Sequence, residues 1–189
     1  MPAYLYLVLL CGWLFWFFPF VFLAKRSERA QHIDRRARWG IILQAIAYAL
    51  LWQGRFWAHR PSLWRIPLGL LFLLVASLLS WSSVRALGRH WRVDAGLNAN
   101  HQLIRSGPYA LVRHPIYTSM LCMLLGTGLL IANWLVFGIA LILFLAGAGI
   151  RMRVENELLA GRFGSEFTAY KHSVPAVIPG LPKRFLQSR

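Results

Sequence analysis

The sequence predicts an all-α membrane protein with five transmembrane helices, the N-terminus outside and the C-terminus inside. Three observations carry that expectation. The 189 residues are 58 % hydrophobic, with nine Trp and twelve Phe against only six acidic groups, which is not the composition of an ordinary soluble domain. The apolar residues gather into five runs, and the 21 Lys and Arg fall almost entirely in the gaps between them. A formal charge of +15 would suggest nucleic acid if it formed a stripe on a soluble fold. Confined to connectors, it predicts no nucleic-acid partner. Cys11 and Cys122 both sit inside apolar runs, so neither a disulfide framework nor a thiolate metal cluster is expected, and no metal is called for.

Tyr4 to Ala24 carries no charge over a length sufficient to cross a hydrocarbon core of roughly 30 Å. Lys25 and Arg26 follow at once, and no basic region precedes the run, so it reads as a span rather than a cleaved leader. The basic loop from Lys25 to Arg38 suits anionic headgroups. Gly40 to Trp57 is the second span, broken by Gln44, Gln53 and Arg55, with Trp52, Phe56 and Trp57 at headgroup level. Ile66 to Val84 is the third, with Pro67 tolerated in its first turn.

A polar segment of about thirty residues then runs to His114, long enough that a functional role is expected. Ile116 to Ile131 and Leu135 to Ile150 form a tight helical hairpin in this reading, each arm near the short limit for spanning. Beyond Ile150 the period of Glu155, Leu158, Leu159, Phe163, Phe167 and Tyr170 continues a helix to about residue 172 in water. Gly161 and Gly164 weaken it. Pro175, Pro179 and Pro182 make the tail extended. The whole forms one integral membrane domain.

Charge sets the orientation. The first, third and last polar regions hold six, five and seven Lys and Arg, against three and none on the other side. By the positive-inside rule the basic side is cytosolic. Two polar motifs therefore meet the cytosolic face: Ser106 to Tyr117, SGPYALVRHPIY, and Arg151 to Glu155, RMRVE.

In the first motif Gly107-Pro108 demands a turn, and Pro115 keeps His114 out of helix so that a new helix begins just after it. The unpaired N–H groups and dipole of that helix start favour an anion. Tyr109, His114 and Tyr117 add hydrogen-bonding rings, although an interfacial aromatic belt with a capping histidine has the same composition. In the second motif Arg151 and Glu155 share a helix face, while Glu157 points elsewhere. A surface ion pair of that kind is worth little; at the end of a membrane helix facing a bundle it points to function.

Taken together the order is distinctive: H-x-L-[IV]-x-S-G-x-Y-x-x-x-R-H-P-x-Y, a hairpin, R-x-x-x-E, F-G-x-x-[FY]-x-x-Y, then V-P and P-G. It resembles the isoprenylcysteine carboxyl methyltransferase family and the related phospholipid methyltransferases, from about Arg92 to Pro182. The matching residues include His101, Leu103, Ile104, Ser106, Gly107, Tyr109, Arg113, His114, Pro115, Tyr117, Arg151, Glu155, Phe163, Gly164, Phe167 and Tyr170.

The resemblance implies methyl transfer from S-adenosyl-L-methionine. It implies a cofactor pocket lined by Asp94, His101, Gln102, Leu103, Ile104, Tyr109, His114, Pro115, Ile116, Tyr117 and Glu155, with Arg151 holding a lipophilic or lipidated acceptor. Arg151 and Glu155 are then the catalytic pair. In-line displacement at a sulfonium methyl asks the protein mainly to align reactants and exclude water. One departure is visible: the family's second adjacent acid is replaced by Asn156. That loosens the acceptor more than the cofactor.

Three readings are compatible with these residues. One is a membrane methyltransferase whose acceptor is a prenylated cysteine carboxylate, a phospholipid amine or another lipophilic acid, amine or thiol. Another is a membrane reductase, since the sterol reductases resemble the same RHP entry and C-terminal helix while using a nicotinamide. The last is a non-catalytic membrane scaffold.

Overall fold

The computed structural model describes residues 3–23, 32–53, 60–91, 96–97 and 102–180. Asp94 and His101, both expected at the cofactor pocket, lie outside the described residues, as do Phe56 and Trp57 of the expected aromatic cluster.

Among the described residues the regular structure is helical apart from one short strand pairing. Helix α1 (Ala3–Phe18) closes with a π-helical turn at Pro19–Leu23, where Pro19 has no N–H to offer the ladder. Then follow α2 (Ala37–Leu51), α3 (Arg65–Leu87), α4 (Pro115–Ile131), α5 (Trp134–Phe163) and α6 (Ser165–Ser173). Two-residue strands β1 (His32–Ile33) and β2 (Gly96–Leu97) pair antiparallel and tie the first basic loop to the long polar segment.

Among the described residues three helical stretches are long and apolar enough to cross a membrane: Tyr4–Leu23, Arg65–Leu87 and Trp134–Phe163. The shorter apolar helices are α2 and α4. At 17 residues α4 covers about 25 Å. Leu7, Leu14 and Phe15 of α1, Leu71 and Leu78 of α3, and Leu135 and Ile142 of α5 are exposed on the outside of the bundle. Such a surface suits a lipid environment. The second run stops at Leu51, short of the expected Trp57, and α5 continues without interruption from the membrane to Phe163.

α4 is the buried centre, with most of its residues enclosed. The hairpin expected of α4 and α5 is not the main packing unit. α4 lies chiefly against α3 and α5 against α2, because small residues let those backbones close. A Cβ on Gly126 would sit 2.9 Å from the Gly69 oxygen, and one on Gly40 would sit 2.5 Å from the Gly147 oxygen. Polar side chains tie α1 and α2 to α4 as well: Trp16 Nε1 donates to Ser119 Oγ at 3.3 Å, Trp13 Nε1 to Thr127 Oγ1 at 3.2 Å, and Tyr48 Oη to the Met120 oxygen at 2.7 Å. Without water, such groups must find partners inside the protein.

Candidate functional site

The turn that opens the site is built as its sequence demands. Gly107 takes φ 60°, a left-handed conformation that suits glycine. Gly107–Ala110 forms a 3₁₀ turn that carries Tyr109 into the interior. His114, at φ −125° and ψ 61°, stays outside the helix, and Pro115 starts α4. From the other side α5 brings Arg151, Glu155 and Asn156.

The two motifs, some forty residues apart, meet. His114 Nδ1 lies 3.4 Å from Glu155 Oε2, and Tyr117 Oη donates to Glu155 Oε1. His114 Nε2 lies 3.2 Å from Asn156 Oδ1, which also accepts from Arg113 Nη1 at 3.3 Å. An arginine only donates, so the shared atom is oxygen and His114 Nε2 carries a hydrogen. When Nδ1 is protonated as well, its contact with Glu155 becomes an ion pair. Asn156 thus orients the histidine without adding a charge.

Arg151 is 9 % exposed. Its Nη1 donates to Gln44 Oε1 of α2 at 3.2 Å, and its Cζ lies 5.0 Å from the centre of the Tyr117 ring. Glu157 points away, as its position on the helix implies, and pairs with Arg36 at 2.6 Å. Gln102 is exposed, while Leu103, Ile104 and Ile116 are half-buried. Beside Gln102, Leu103 and Ile104, Arg105 forms an ion pair with Glu166 of α6. Burial raises the Tyr109 hydroxyl well above its ordinary range, so it remains a neutral group.

The tail supplies a support that periodicity does not reveal. Arg113 N donates to the Pro175 oxygen at 2.8 Å and His114 N to the Ala176 oxygen at 2.9 Å. Thr118 Oγ1 donates to the Val177 oxygen at 2.7 Å. Tyr170 Oη donates to the Tyr109 oxygen at 2.6 Å. The expected extended tail is therefore a strap holding the RHP turn. Gln44 and Asn156 were also not expected at the site. An uncharged amide inside an apolar run, expensive in lipid, was the available signal for Gln44. Asn156 was marked only as a departure from the family's acid pair, and nothing marked the strap. Among the described residues no group of three or more His, Cys, Asp or Glu could hold a metal ion.

The phospholipid methyltransferase family model matches residues 64–166. The cobalt-zinc-cadmium resistance protein CzcN of Cupriavidus metallidurans is 30 % identical over 144 residues, 76 % of this chain and 62 % of that protein. The protein-S-isoprenylcysteine O-methyltransferase of Schizosaccharomyces pombe is 28 % identical over 165 residues, 78 % of this chain and 69 % of that protein. The enzyme of the same name from Mus musculus is 28 % identical over 132 residues, 66 % of this chain and 45 % of that protein. The chain thus spans roughly half to two thirds of the length of these relatives. With more than half of its length, including α3, the RHP turn and α4, matched by one model, the chain belongs to the phospholipid methyltransferase family.

Proposed function

We propose that this protein is an integral membrane methyltransferase that transfers the methyl group of S-adenosyl-L-methionine to the carboxylate of a lipophilic acceptor, an isoprenylcysteine-type acid being the model. The supporting observation is the 3.4 Å approach of His114 Nδ1 to Glu155 Oε2, which joins two motifs distant in sequence into one polar cluster. In this reading the chain is a single membrane domain with five spans, α2 and α4 being the short ones. The basic side, and with it the site, faces the cytosol.

The residues present suit the cofactor. Glu155 offers a carboxylate to an ammonium or hydroxyl group. The first turn of α4 offers the N–H groups of Ile116 and Tyr117, which have no intrahelical acceptor, to a carboxylate. Tyr109 and Tyr117 supply apolar ring surface, and Asp94, His101, Gln102, Leu103, Ile104 and Pro115 complete the proposed lining. The bound cofactor supplies a methyl group activated on a sulfonium. Arg151 holds and aligns the acceptor, for which a carboxylate is the natural partner of a guanidinium fork. Glu155 and His114 fix the polar side, and the apolar helices exclude water.

A carboxylate oxygen accepts a methyl group with no proton to remove. An amine acceptor needs a base, and the position where the family carries a second acid is Asn156. This favours an acid over a phospholipid amine.

Purified protein should bind labelled S-adenosyl-L-methionine, and His114→Ala or Glu155→Ala should weaken binding at least tenfold. Wild-type protein that does not bind it would exclude the reading. Membranes incubated with methyl-labelled cofactor should yield a base-labile ester; label stable to base would assign a nitrogen or sulfur acceptor instead.

A further inference from the structure

Gln44 sits on α2 inside the bundle and is 2 % exposed. Its Oε1 accepts from Arg151 Nη1 at 3.2 Å. Because the guanidinium only donates, this contact fixes the amide orientation and turns Nε2 away from it. Nε2 is buried and has no hydrogen-bond partner among the described residues. An amide N–H₂ left in that state is costly, more so in a membrane, and a leucine or methionine would fill the same space without the cost.

The backbone is arranged to bring this amide to Arg151. A Cβ on Gly40 would meet Arg151 Cγ at 2.5 Å, and one on Gly147 would meet Gln44 Cγ at 3.1 Å. The two glycines therefore let α2 and α5 close, laying the Arg151 stem over Gly40 with its guanidinium beside Gln44. With its oxygen engaged by Arg151, the polar group the amide leaves unanswered is Nε2, a donor. A guanidinium beside an unanswered N–H₂ favours an oxygen anion over an ammonium.

We propose that Gln44 is an acceptor-binding residue whose Nε2 donates to an oxygen of the acceptor's anionic head, next to Arg151. This rests on the methyltransferase reading and adds a second arm to its acceptor site. Glu155 and the RHP turn, on the cofactor side, are not part of it.

The test uses the full chain in lipid nanodiscs, with N-acetyl-S-farnesylcysteine as the probe acid and its carboxamide as the competitor. Gln44→Glu keeps an oxygen toward Arg151 at the same reach but removes the N–H₂ donors. It should raise KM for the acid at least tenfold and leave the affinity for S-adenosyl-L-methionine within twofold. Gln44→Leu should show the same rise in KM. The carboxamide should compete at least tenfold less well than a second prenylated acid. An unchanged KM in Gln44→Glu, equal competition by the carboxamide, or wild-type protein that binds the cofactor but forms no methyl ester of the probe would overturn the proposal. Wild-type protein that does not bind the cofactor would instead overturn the reading beneath it.

Discussion

Among the described residues two arginines are buried, and they are solved differently. Arg65, 4 % exposed, opens α3 at the end of α4 remote from His114. Its Nη2 donates to the oxygens of Gly128 at 3.1 Å and Ala132 at 2.7 Å, and its Cζ lies 4.6 Å from the centre of the Trp134 ring. It caps the C-terminal carbonyls of α4, where the helix dipole favours a cation. Arg151, 9 % exposed, is bound by a side-chain amide and an aromatic face instead. Backbone carbonyls at the end of α4 accept from Arg65, whereas Gln44 and Tyr117, side chains at the candidate site, meet Arg151. On that contrast Arg65 serves the fold, and a functional role for Arg151 is the proposal to be tested.

The comparison is open to attack at several points. Arg151→Ala should lower kcat/KM by roughly a hundredfold, on the order of 3 kcal/mol, while the protein still folds and binds cofactor, as measured by turnover and by thermal unfolding. Comparable destabilisation with no kinetic effect would make Arg151 another Arg65. Arg65→Leu should cost about 2 kcal/mol of stability by leaving the α4 carbonyls unanswered, with activity per folded molecule unchanged.

Smaller effects sharpen the same contrast. Gly40→Ala forces a methyl against Arg151 Cγ and the Gly147 oxygen, each 2.5 Å away. It should cost about 1.5 kcal/mol and reduce turnover as well, because the same contact positions Arg151. Tyr170→Phe removes the bond to the Tyr109 oxygen and should cost about 1 kcal/mol. Desolvation pushes the Tyr170 hydroxyl up to about 12, above its ordinary value of about 10. The unfolded chain therefore ionises first: this contribution is complete below about pH 10 and is lost as pH rises toward about 12. Alkaline unfolding of the wild type should show that loss, and Tyr170→Phe should not. Gly149→Ala meets open space and should gain about 0.5 kcal/mol in a chemical unfolding series.

Much of the site was legible because its parts obey local rules. Pro115 must end the extended stretch at His114 and start a helix, and Arg151 and Glu155 must share a face of α5. The motif order and charge side led to the expectation that His114 and Glu155 border one pocket; their side chains come within 3.4 Å of each other. Gln44 read only as an interruption of an apolar run, because no local rule connects it with a residue a hundred positions away. Asn156 read as a lost acid, whereas its neutral oxygen orients His114 and accepts from Arg113. The proline-rich tail read as merely extended, since hydrogen bonds such as that from Arg113 N to the Pro175 oxygen leave no period in sequence.

The sequence by itself determined where helices form and which segments are apolar enough for a membrane, because lipid requires each backbone to satisfy its own hydrogen bonds. It also determined the turn at Gly107 and the start of α4 at Pro115, which follow from φ restrictions on single residues. Only the tertiary structure decided which helices pair. Two neighbouring apolar helices have no hydrophobic reason to choose one another in lipid, so the choice falls to where glycines let backbones close, at Gly69 with Gly126 and at Gly40 with Gly147. That choice places Gln44 beside Arg151.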